Sequence, residues 1–158
     1  MRILVVYYSL TGNTKKIGEE ITKRLNAEIE EIIDKKKRTG FLGFLRSGYE
    51  ALFKRMTDIE TTSKNHNEYD LIIVGSPVWA GSLSSPVRTY LSLYKDKMKN
   101  LAFFATYGMS QGKVFKQMEE ISKSPIKTFG ISEKEIKSGV YSGRVEEFTK
   151  ELLEIIKS

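Results

Sequence analysis

Ser9, Thr11 and Thr14 crowd around Gly12 and Asn13 directly after the apolar run Ile3-Leu4-Val5-Val6. A continuous apolar run marks a strand buried on both faces, and Ile17, Ile21 and Leu25 then recur at helical spacing. The hydroxyl-rich turn therefore ends a first strand and opens a helix. Its hydroxyls can donate, Gly12 lets a ligand approach the backbone, and the unpaired N–H groups of a helix start favour an anion. A phosphate monoester suits such a turn; an ordinary Ser/Thr helix cap without a ligand is the plainer alternative. With one glycine the turn lacks the GxGxxG of a dinucleotide loop. Lys15 and Lys16 follow the threonine, whereas a nucleoside triphosphatase loop has its lysine before it. Tyr8 and Ser9 stand where a receiver domain would carry a carboxylate. The absence of cysteine excludes a thiol phosphatase.

Two further loops carry uncharged, ring-bearing residues. Leu71 to Val74 forms a second buried run and leads into Ser76-Pro77-Val78-Trp79-Ala80-Gly81. Pro77 and Gly81 read as shaping a rigid turn around the one tryptophan, which either lines a ligand or folds back onto the core. Ser84, Ser85 and Pro86 then start a helix. Leu101 to Thr106 is another apolar strand, ending in Thr106-Tyr107-Gly108. In an open parallel sheet the carboxyl ends of the strands share one edge, so loops 9–14, 77–84 and 106–112 converge on one crevice, with Tyr107 turned toward Trp79.

The elements that must position these loops can be read at coarse grain. Ala27 to Ile33, with Ile29 and Ile32 among glutamates, reads as a half-exposed edge strand ended by Asp34. In the long connection to residue 69, Phe41, Leu45, Tyr49, Leu52 and Met56 follow helical spacing. Gly40, Gly43 and Gly48 weaken the start, so residues 39–44 read as loop and the helix proper begins near Leu45. Its apolar face reads as core; the other reading is a basic amphipathic element whose phenylalanines cover a ligand or meet a partner. His66 sits among Lys64, Asn65 and Asn67 and reads as surface. A helix from Lys113, a final strand over 125–131, an irregular segment to Gly143 and a last helix complete five strands alternating with five helices.

At 158 residues the chain suits one domain. No apolar run approaches the roughly 18 to 20 residues that span a bilayer, so no membrane insertion is expected, and the protein should be cytoplasmic. With no cysteine and one histidine, metal and thiolate sites are excluded and redox chemistry must come from an organic cofactor. The net charge of +6 raises the question of nucleic acid, but it is confined to one place. Residues 35–55 carry Lys35, Lys36, Lys37, Arg38, Arg46, Lys54 and Arg55 against Glu50 alone. This connection therefore reads as a docking edge for an acidic partner or as a solvated loop, and no nucleic-acid partner is expected.

YSLTGNT after the first strand, GSPVWAG after the third and ATYG after the fourth together resemble the flavodoxins, over the whole of residues 1–158. The resemblance implies a flavodoxin-like α/β domain: a five-stranded parallel sheet of order 2-1-3-4-5 with helices on both faces. It implies non-covalent FMN and an electron carrier that passes electrons between redox partners. An NAD(P)H-dependent FMN or quinone reductase of the same fold is the alternative, and an enzyme only in that case. Ser9, Thr11, Gly12, Asn13 and Thr14 would hold the phosphate. Pro77, Val78, Trp79, Ala80 and Gly81 would form one flavin wall, with the Ala80–Gly81 peptide toward N5, and Thr106, Tyr107 and Gly108 the other. Flavodoxins are usually acidic, so the basic connection departs from the pattern and points to redox partners with acidic docking surfaces.

Overall fold

A computed structural model describes residues 1–158. Its sheet orders as β2-β1-β3-β5-β6, with β4 attached to β3. The strands are β1 (Ile3–Tyr7), β2 (Glu28–Glu31), β3 (Leu71–Trp79), β4 (Ser82–Leu83), β5 (Leu101–Tyr107) and β6 (Thr128–Ser132). The helices are α1 (Asn13–Leu25), α2 (Gly40–Leu52), α3 (Ser85–Tyr94), α4 (Val114–Ile121), α5 (Glu133–Ser138) and α6 (Tyr141–Lys157). Five strands run parallel in the expected order, and only β4 pairs antiparallel.

Alternation along the strands splits the core in two. Leu4, Val6, Ile72, Val74, Leu101 and Phe103 point to one face, where Val87 and Leu91 of α3 and Val114 and Met118 of α4 cover them. Val5, Ile73, Ala102 and Phe104 point to the other, under Ile17 and Ile21 of α1 and Phe148 and Leu152 of α6. Because both faces are covered, β1, β3 and β5 are apolar at every position in these runs. The edge strand β2 is the exception: Ile29 is exposed and Ile32, just past its end, is buried.

Four local expectations are corrected. Helix α2 begins at Gly40, not near Leu45. Its Phe41, Leu45, Tyr49 and Leu52 face solvent, while Gly43, Ser47, Glu50 and Ala51 are buried. Gly43 is needed there, because a Cβ would stand 2.5 Å from the Arg38 carbonyl carbon; the helix start is tight against the chain rather than loose. His66 is buried, its Nε2 hydrogen-bonded to Tyr90 Oη and its ring stacked on Tyr94. Finally, the segment after β6 is not irregular. Ser132 accepts from Glu135 N–H while the Glu135 carboxylate accepts from Ser132 N–H, a capping box that starts α5.

Candidate functional site

The first turn is built to present donors. Gly12 caps α1 with a left-handed φ of 98°, and space is open where its Cβ would be. The Gly12 N–H donates to Ser9 Oγ at 3.1 Å, and Lys16 N–H closes onto Gly12 O at 3.0 Å. The N–H groups of Thr11, Asn13, Thr14 and Lys15 have no partner within the protein. No side chain caps the helix, so the plain-cap reading fails on geometry: Ser9 serves the turn itself, and Thr11 is exposed. Thr14 is buried and shares a 2.7 Å hydrogen bond with buried Thr106 at the end of β5, joining the first loop directly to the third.

The second wall is a hairpin rather than a loop. Pro77 does not turn the chain; it lies in β3 opposite Thr106, beyond Gly75, where β1 has already ended. A proline there removes no hydrogen bond to β1. Val78 pairs with Leu83 and Trp79 with Ser82, so Ala80 and Gly81 are the two turn residues, with φ of 49° and 68°. Two left-handed residues make the tight turn that matches strand twist. Gly81 O accepts the Lys113 N–H at 2.9 Å, and a Cβ on Gly112 would meet that oxygen at 2.2 Å. Leu83 N–H donates to Gln117 Oε1 at 2.8 Å. The hairpin is thus pinned to α4, whereas Ala80 C=O and Gly81 N–H make no hydrogen bond.

Trp79 is half-buried. It meets Tyr8 edge-on at 5.6 Å, and the Arg38 guanidinium carbon lies over its ring at 5.0 Å. Burial, with the Asp34 charge adding and Arg38 opposing, pushes the Tyr8 phenol up to about 12, so it stays protonated. Tyr107 lies instead against β6, where a Cβ on Gly130 would sit 3.3 Å from its Cε1. The two rings lean toward opposite sides of the crevice, rather than Tyr107 turning to Trp79. Ser9, Thr11, Gly12, Asn13 and Thr14, the hairpin from Pro77 to Gly81, and Thr106, Tyr107 and Gly108 all lie at the carboxyl edge of the sheet.

Arg38 was hidden in the basic run. It is buried, with Nε 2.5 Å from Asp34 Oδ2 and Nη2 2.6 Å from Glu50 Oε2. Burial alone would lower its pKa, but the two carboxylates outweigh this and hold it above the ordinary value. Burial would likewise raise Glu50, and the bonds from Arg38, Arg46 and Lys36 bring it below the usual carboxylate range. Arg38 therefore supports the tryptophan wall and is no docking charge. Asp34 is its counter-ion, held also by Thr57 Oγ1 at 3.0 Å. The signal was present in the sequence as an Asp34/Arg38 pair four residues apart, with Glu50 the one acid inside a basic stretch.

The family model described as flavodoxin matches residues 2–130, ending inside β6 and leaving α5 and α6 outside the match. A search of curated proteins found no match. Among solved structures, a flavoprotein in complex with FMN from Lactobacillus acidophilus NCFM is 24% identical, with a TM-score of 0.72 over 87% of this chain and 97% of its own. A flavoprotein from Bacteroides uniformis ATCC 8492 is 21% identical, with a TM-score of 0.77 over 94% and 97%. Two-electron reduced Megasphaera elsdenii flavodoxin is 17% identical, with a TM-score of 0.57 over 91% and 98%. At these identities the likeness is one of fold. The family match covers most of the sequence, including all three loops at the sheet edge, and on that ground the chain belongs to the flavodoxin family.

Proposed function

We propose that the chain binds FMN without a covalent link and acts as an electron carrier between redox partners. The observation that carries this reading is the run of N–H groups at Thr11, Asn13, Thr14 and Lys15, left unpaired beside open space at Gly12. A phosphate accepts several such donors at once, and the α1 N-terminus adds its dipole. The residues fit the group: Ser9, Thr11, Gly12, Asn13 and Thr14 hold the phosphate, Pro77 to Gly81 form one flavin wall, and Thr106, Tyr107 and Gly108 form the other. The flavin supplies the electron chemistry, and no side chain here serves as acid, base or nucleophile.

The protein's part is to bind and to tune. Thr14 and Thr106 fix the spacing between the first and third loops, and Arg38 fixes the indole of Trp79. The Ala80–Gly81 peptide, free of internal hydrogen bonds, is available to the flavin N5, while the pinned Gly81 carbonyl limits how far the turn can move. Redox partners would present acidic surfaces to the cations of residues 35–55.

Thr11→Ala tests the cradle, with Thr14 left in place because its hydroxyl is bonded to Thr106. FMN affinity should fall by at least about tenfold, and riboflavin affinity by less than about threefold, because only FMN carries the phosphate those donors serve. Equal losses for both ligands, measured by flavin fluorescence titration, would show that the turn does not serve the phosphate. Mixing the loaded protein with NADPH or NADH in a stopped-flow instrument separates a carrier from a reductase.

A further inference from the structure

Helix α2 is inside out. The positions it turns to the protein at 43, 47, 50 and 51 are Gly, Ser, Glu and Ala, whereas Phe41, Leu42 and Phe44 are 73%, 80% and 70% exposed. Leu45, Leu52 and Phe53 continue the same outer surface. Ordinary surface helices place such residues inward, and a contiguous apolar patch of this extent on a soluble domain marks a surface that something covers. The helix is also held firmly in this orientation. Glu50 is tied to Arg38 and accepts from Ser85 Oγ, and Gly43 admits the Arg38 backbone, so the apolar side cannot roll inward without breaking a buried ion pair.

The charges around the patch say what covers it. Lys36, Arg38 and Arg46 are paired with Glu50 or Asp34, but Lys35, Lys37, Lys54 and Arg55 are exposed and have no carboxylate partner. Two of these cations flank each end of α2. A second copy of the chain would bring Lys35, Lys37, Lys54 and Arg55 of both copies together with Asp58, beside Lys35, as the exposed acid at hand, so like charge dominates that pairing. A protein groove normally adds hydrogen bonds within its contact area. From Phe41 to Leu45 the side chains offer none, every one being aliphatic, aromatic or absent, and the donors there are the uncapped backbone N–H groups at the start of α2, which suit an anionic headgroup. The surface that supplies anions at the rim and hydrocarbon at the centre, and needs no hydrogen bonds there, is a phospholipid layer.

We propose that α2 docks this protein on anionic phospholipid bilayers, lying in the headgroup region with Phe41, Leu42 and Phe44 toward the acyl chains. No helix of the chain is long and apolar enough to cross a membrane, so the contact is one of adsorption. Gly48 of α2 stands beside Ala80 of the hairpin turn, where an added Cβ would be 3.9 Å from the Ala80 Cβ. Docking therefore brings the crevice edge close to the membrane surface, within reach of membrane-held redox partners. The bilayer gives the acidic surface of the proposed function a chemical identity, but adsorption itself does not depend on flavin.

Co-sedimentation of the full chain with vesicles of equal parts phosphatidylglycerol and phosphatidylcholine, and with pure phosphatidylcholine vesicles, tests this. Binding to the anionic vesicles should be at least about tenfold stronger and should weaken as salt is raised. Leu42→Glu with Phe44→Glu should abolish it, as should glutamine at Lys35, Lys37, Lys54 and Arg55, with urea midpoints close to the parent's because these side chains are exposed. Equal sedimentation with and without vesicles overturns the proposal. So does a concentration-dependent dimer in lipid-free buffer that Leu42→Glu dissolves, since a second copy would then cover the patch. Sedimentation is read on protein with and without FMN, so failure of the flavin reading leaves this result standing.

Discussion

Replacing Arg38 by glutamine leaves the carboxylates of Asp34 and Glu50 buried around a neutral side chain. Breaking a buried ion pair from one side typically costs about 3 to 5 kcal/mol, so Arg38→Gln should lower the urea midpoint sharply and loosen Trp79, whereas Lys37→Gln should leave stability within about 0.5 kcal/mol. His66 makes a second prediction at this scale. Burial, reinforced by the Lys97 charge, lowers its pKa, so protonation favours the unfolded chain. Its contribution to stability is complete above the unfolded value of about 6.5 and is lost as pH falls below it. As pH falls below about 6.5 the parent should lose stability relative to His66→Gln, measured by urea unfolding at each pH. Both residues were misplaced from sequence for one reason. Polar neighbours along the chain announce exposure, yet Arg38 and His66 are buried by partners distant in sequence, Glu50 for one and Tyr90 and Tyr94 for the other.

Elements that bury whole runs were legible, and those whose partners are local were not. The first, third and fifth strands declare themselves because both faces of the sheet are covered. The glycine turn before α1 is legible because its hydroxyls follow a strand. The Trp79 hairpin was taken for a proline turn, since nothing in the letters shows that Ala80 adopts a left-handed φ, a conformation costing a non-glycine residue about 1 to 2 kcal/mol. The Ser132/Glu135 capping box, four letters long, was passed over although its spacing is diagnostic. The hairpin supplies its own prediction. Gly112→Ala would drive a Cβ into Gly81 O at a φ of 52°, so it should cost more than about 2 kcal/mol and speed hydrogen exchange at the Lys113 amide. In FMN-loaded protein Trp79 emission should be quenched and should recover when the flavin is removed. Little recovery would mean that the indole lies against Tyr8 and Arg38 alone.

For the molecule as a whole, the alternation of buried strands and helices pointed to a parallel sheet, the flavodoxin resemblance implied its strand order, which the structure shows, and the distribution of charge was legible only as a sum. Seven cations in one connection separate on folding into a group paired with Glu50, of which Arg38 alone is buried, and an unpaired group at both ends of α2. The connection is also closed at its base. Asp34 and Ile59 form an antiparallel bridge, Lys35 N–H donates to Asp58 O at 2.9 Å, and Glu60 N–H donates to Ile33 O at 2.9 Å. Chain enters and leaves at one point, like a handle riveted to a vessel. Closing so long an excursion costs little more than closing a short one, because loop entropy grows only with the logarithm of length. What the handle adds is therefore packing, not closure: a chain with residues 35–58 replaced by Asn-Gly, and Asp34 changed to Asn, keeps the joined ends but loses buried Arg38, Glu50, Ala51 and Thr57, so it should unfold at a lower urea midpoint than the parent, with Trp79 released toward solvent.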